Sequence, residues 1–171
     1  MNARRITFRE VLHLLGPLFG AIFAVWLLRL IIAAAGAPSW LVTAFSVTGA
    51  TPVCILIAVL LIHLKRAGGY GLVALASLLL AGAGQLLVAL AIAFAMVTGL
   101  ENVYSAAEFS PPHTSQYMHL CSHLFGIILF ALLGMIMGSF FLLLLRVLMP
   151  GRSSSAILKQ PSGHQTQSKT P

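Results

Sequence analysis

The sequence predicts an all-α integral membrane protein: a bundle of four transmembrane helices with its N-terminus and C-terminus cytoplasmic. Three observations carry that prediction. Hydrophobic residues make up 59% of the 171 positions and charged residues only 8%, with a mean hydropathy of +0.99. A water-soluble domain of this length needs more polar surface, so the lipid bilayer is the expected solvent. Four apolar stretches are each long enough to cross about 30 Å of hydrocarbon. Finally, nine of the ten Lys and Arg residues fall on one side when those stretches are threaded through a membrane.

The charge map is specific. Arg4, Arg5 and Arg9 precede the first stretch, and Lys65 and Arg66 separate the second from the third. Arg146, Arg152, Lys159 and Lys169 end or follow the fourth. The other two connections contain no Lys or Arg and hold Glu101 and Glu108. This alternation sets orientation with the basic side in the cytoplasm. It also accounts for the net charge of +7: the cations flank apolar spans instead of clustering with aromatics, which argues against nucleic acid as a partner.

A basic N-terminal segment, residues 1–10, leads into the first span at 11–36. Its charged start resembles a secretory signal, and Ala33-Ala34-Ala35-Gly36-Ala37 resembles a cleavage region. The apolar segment is longer than a signal core of about 7–15 residues and Arg29 interrupts it, so an uncleaved helix is expected. Pro38 ends that helix and Trp40 is expected at the interface. The second span covers 40–64. Thr43, Ser46, Thr48 and Thr51 precede Pro52, where a single kinked helix is expected, the hydroxyls compensating the freed backbone carbonyl. Lys65 to Gly69 forms a short turn.

The third span covers 70–100, with Gln85 near its middle. An outer loop at 101–117 follows, and Ser110-Pro111-Pro112 offers a serine cap and a first-turn proline for the fourth helix. That span covers 118–148. Residues 150–171, rich in Ser, Gln, Gly and Pro, show no periodic apolar face and are expected to be a disordered cytoplasmic tail.

Small residues recur at four-residue spacing: Gly16, Gly20 and Ala24 on the first span, Ser77, Ala81, Gln85, Ala89 and Ala93 on the third, and Gly134 and Gly138 on the fourth. Such strips let helices approach closely in lipid. Packing within the chain is the expectation, with a dimer through Gly134 and Gly138 as the alternative. Gln85 is expected to turn inward, toward Thr48 or Thr51, because an amide facing lipid would go unpaired. Arg29 lies about 10 Å from the outer end of its helix. It is expected to snorkel outward or to meet Glu101 or Glu108 as a structural anchor.

Histidine supplies the one metal-like spacing. His119 and His123 share a helical face at the outer mouth of the fourth span and match two cis positions of a Zn or Cu ion. Glu101, Glu108, His113 or Cys121 would have to complete the site. His13 and His63 stand near the cytoplasmic ends of the first two spans, the arrangement an axial haem b pair needs, although no CxxCH motif is present. Cys54 and Cys121 lie at different depths and are expected to remain thiols.

Catalytic sets are missing from the sequence: no GxSxG, HExxH or phosphate loop, and only three carboxylates, none at mid-depth. The expected role is a non-enzymatic structural, assembly or accessory subunit in the cell membrane, which is the inner membrane if the source is bacterial. Lipid surrounds it, and a homo-oligomer or a larger membrane complex is the expected partner. The alternatives are a metal-binding or transport protein using the outer His pair, and a haem-bearing electron-transfer subunit.

Overall fold

The computed structural model describes residues 8–106 and 115–149. Arg4, Arg5, Glu108, the Ser110-Pro111-Pro112 helix start, His113 and the tail at 150–171 lie outside the described residues. The helices are α1 (Phe8–Ala34), α2 (Ser39–Ala44), α3 (Val47–Leu64), α4 (Tyr70–Thr98) and α5 (Gln116–Leu148). Four spans are long and apolar enough to cross a membrane, α2 and α3 together making the second.

That second span departs from expectation. It is not one helix kinked at Pro52 but two helices, broken at Phe45 and Ser46. Phe45 leaves helical geometry (φ −88°, ψ 50°), and Ser46 is extended at the start of α3. Pro52 stays inside α3. Its missing N–H lies just beyond the first turn, and Thr51 donates its hydroxyl to the Val47 carbonyl at 2.8 Å. Ending the helix before Val47 leaves Pro52 close to the new N-terminus, where proline costs least.

Two helix ends close in the same way, with different residues. After α1, Ala37 N–H reaches back to the Ile32 carbonyl at 3.1 Å, and Gly36 takes the left-handed conformation (φ 75°). After α3, Ala67 N–H reaches the Ile62 carbonyl at 3.0 Å, but the left-handed residue is Arg66 (φ 50°). A side chain there costs roughly 1 kcal/mol over glycine, although Gly68 and Gly69 follow immediately.

The helices form two triangles sharing an edge. α3 packs on α4; α1 lies against both on one flank, and α5 lies against both on the other. The first triangle encloses Leu15, Leu18, Ile22, Ala58 and Ile62, all buried. Cys54 is buried among them, its thiol 3.9 Å from the Leu18 carbonyl, and both Cys54 and Cys121 are free.

The second triangle is closed by glycine. A Cβ on Gly138 would run into Ser77 Oγ, and one on Gly134 would lie 3.1 Å from Ala81 Cβ and 3.2 Å from the Ser77 carbonyl. The GxxxG strip is therefore spent inside the chain, on the Ser77–Ala81 strip of α4. Gly16 and Gly20 behave otherwise: a Cβ on either meets nothing within 4 Å, so the strip on α1 packs against no other helix among the described residues.

Candidate functional site

Continuing the glycine face of α5 toward its N-terminus leads to His123 and His119, because residues four apart stack on one side of a helix. Continuing the α4 strip from Ser77 and Ala81 leads to Gln85. The two polar ends meet. Ser115 begins α5 by accepting Met118 N–H on its hydroxyl at 3.3 Å, which places His119 and His123 on the first two turns. Gln85 Oε1 lies 3.1 Å from His123 Nδ1, and His123 Nε2 lies 3.0 Å from His119 Nε2. The imidazoles stack with centroids 4.9 Å apart and planes 22° apart. His119 is buried, as is Gln85.

These distances assign the protons. A carboxamide oxygen only accepts, so His123 must carry its proton on Nδ1 and donate it to Gln85. A neutral imidazole then leaves His123 Nε2 as an acceptor, and His119 Nε2–H donates to it. Among the described residues His119 Nδ1 ends the chain as an acceptor without a donor. Buried polar groups in a bilayer need such partners, since water is not there to supply them.

The expected partner of Gln85 was Thr48 or Thr51, and the structure replaces it with His123. Thr51 is committed to the Val47 carbonyl and presses on Gly84, where a Cβ would lie 2.7 Å from its hydroxyl oxygen. Both threonines instead share with Gln85 the polar wall of a cavity of ≈ 210 Å³ between α3, α4 and α5, lined also by Ile55, Phe130 and Leu133. The histidines also sit deeper than the outer mouth: His123 is level with the middle of α4. Among the described residues no group of three or more metal-ligating side chains surrounds them.

Arg29 reaches the segment that follows α4, where its guanidinium lies 4.8 Å from the centroid of the Tyr104 ring. The sequence did not single out Tyr104, which lies in what reads as a polar loop. Residues 102–105 instead fold back onto the bundle. Asn102 donates its side-chain amide to the Ala91 carbonyl at 2.8 Å and accepts Tyr104 N–H on Oδ1 at 2.9 Å. Ser105 Oγ accepts Asn102 N–H at 2.9 Å. Val103, Tyr104 and Ser105 are buried as a result. The signal available was Asn102-Val-Tyr-Ser105, an Asx-turn composition flanking two apolar residues.

Among the described residues no hydrogen bond or ring contact joins His13 to His63. His13 is exposed and lines a pocket at the basic end with Lys65 and Arg66, and His63 is not among the residues lining it. No family model, curated protein or solved structure matches this chain.

Proposed function

We propose that this chain is a non-enzymatic accessory subunit of a larger membrane assembly, residing in the cell membrane with both termini cytoplasmic. The open arrangement of the helices carries this reading. α1 and α5 occupy opposite flanks of the α3–α4 pair, so the four spans do not ring a common lumen. In the 18-residue apolar window of α1 and of α5, only 22% of the residues are buried within the chain. A protein arranged this way offers two broad apolar flanks and no conduit of its own. The measurement is the mass of the protein extracted in mild detergent after cross-linking in intact membranes. The expected result is a fixed-stoichiometry particle larger than one 18.2 kDa chain; a lone chain in intact membranes overturns the reading. A reporter fused to the C-terminus tests orientation, and an external reporter rejects it.

A second reading, binding of a Zn or Cu ion by His119 and His123, is favoured by one distance. Two nitrogens each about 2.0–2.1 Å from a metal stand roughly 2.9–3.4 Å apart for angles between a right angle and tetrahedral, and the two Nε2 atoms are 3.0 Å apart. Binding would move the His119 proton to Nδ1 and free both Nε2 lone pairs. Metal content of the purified protein is compared with that of the His119→Ala/His123→Ala double variant. Loss of bound metal supports the pair as ligands, and unchanged content rejects it.

A further inference from the structure

At the basic end of the bundle, the start of α1, the end of α3 and the start of α4 enclose a pocket of ≈ 420 Å³. Lys65, Arg66, His13 and Glu10 supply its polar groups, and Leu14 and Leu72 supply part of its apolar wall. We propose that this pocket binds the phosphodiester of an anionic phospholipid.

Three observations converge on it. The first is the backbone of Arg66. The left-handed position that ends α3 is held at the end of α1 by Gly36, whereas here it carries the longest basic side chain. A residue kept in a disfavoured conformation with glycines available beside it points to a role for its side chain. That side chain lines the pocket.

The second observation is charge. Among the described lining residues Lys65 and Arg66 outnumber the one carboxylate, Glu10, so cationic groups prevail. An excess of cations suits an anionic headgroup. The nearby backbone donors do not compete for the ligand: Lys65, Arg66 and Ala67 N–H all bond to carbonyls of α3. Recognition therefore falls to the side chains, with the guanidinium able to take two phosphate oxygens at once.

The third is position. Leu12 and Leu64, each next in sequence to a lining residue, are exposed apolar surface, as expected of groups facing lipid. The pocket thus pairs a cationic rim with an apolar wall at the level where headgroups meet acyl chains, and basic recesses between helices at this level suit anionic headgroups.

The test uses the full chain in phosphatidylcholine nanodiscs with and without phosphatidylglycerol, and separately with inorganic phosphate. Thermal unfolding and native mass spectrometry provide the readouts. Phosphatidylglycerol is expected to raise the unfolding temperature and to stay bound, whereas inorganic phosphate is not. Arg66→Gly is the decisive variant. It relieves the backbone, so the protein in pure phosphatidylcholine should be at least as stable as wild type, yet it should bind phosphatidylglycerol about fivefold more weakly, the factor expected for one basic residue at an anionic surface. Lys65→Ala should weaken binding similarly. An undiminished phosphatidylglycerol response in Arg66→Gly overturns the proposal, as does the absence of any response in wild type. An equal response to inorganic phosphate overturns the lipid assignment and leaves a free-anion site.

Discussion

Gln85 on α4 accepts the Nδ1 proton of His123 on α5, with 3.1 Å between the heavy atoms. This one bond fixes the tautomer of His123 and, through it, that of His119. It also pins the N-terminal part of α5 to α4, the helix against which α5 packs most extensively.

Gln85→Leu should therefore destabilise the fold by about 1–2 kcal/mol, because it leaves His123 Nδ1–H buried without an acceptor. His123→Leu should cost a similar amount, and the double variant less than the sum of the two. A coupling of about 0.6 kcal/mol is the magnitude usual for a single hydrogen bond between membrane helices. Unfolding in detergent micelles measures it; additive losses would show that the two side chains act separately.

The glycines divide into two classes that one substitution separates. Gly138→Ala drives a methyl into Ser77 Oγ and should cost about 1–3 kcal/mol through overpacking. Ser77→Ala in the same chain should recover much of that loss. Gly20→Ala meets open space, so it should be neutral or stabilise by up to about 1 kcal/mol through helix propensity. Thermal unfolding of the three variants in micelles checks the ranking.

Two serines stand at the N-cap of a helix and should respond differently to alanine. Ser115 Oγ accepts the Met118 N–H at the start of α5, and Ser115→Ala should cost about 1 kcal/mol. Ser46 occupies the same position in α3 but its side chain makes no capping bond. Ser46→Ala should change stability by less than about 0.5 kcal/mol. Equal losses at both positions, measured by unfolding, would contradict the geometry.

Burial raises the pKa of the Tyr104 phenol, and the Arg29 charge beside it opposes that rise without cancelling it. The folded state thus holds the phenolic proton more tightly than the unfolded chain, where the pKa is about 10. The stability tied to this group is present in full below pH ~10 and declines as pH climbs toward the higher folded value. Tyr104→Phe should remove that alkaline loss while keeping the ring under Arg29. Unfolding temperatures followed above neutral pH provide the measurement.

The spans were legible in the sequence because hydropathy and charge act over twenty residues at a time. Spans expected at 70–100 and 118–148 appear as Tyr70–Thr98 and Gln116–Leu148. The break at Phe45 and Ser46 was not legible. Pro52 is the obvious breaker, and nothing local to Phe45 outweighs it; the helix yields where Val47 can still be buried. The candidate site was half legible. Spacing placed His119 and His123 on one face and turned Gln85 inward, but joining them requires the register of α4 on α5. That register is set by Gly134 and Gly138 against Ser77 and Ala81, an interaction between segments far apart in the chain. Tyr104 was hidden for a related reason: a polar loop reads as solvated until its own turn, built by Asn102 and Ser105, tucks two apolar residues beneath it.

The shared edge between the two triangles has an energetic consequence. Residues that α1 buries and residues that α5 buries rest on opposite sides of the α3–α4 pair, so substitutions on the two flanks should add in free energy without coupling. Local opening should follow the same division. Either outer helix can peel away while the other stays docked, and the histidine chain on α5 can persist in a molecule whose α1 has already detached.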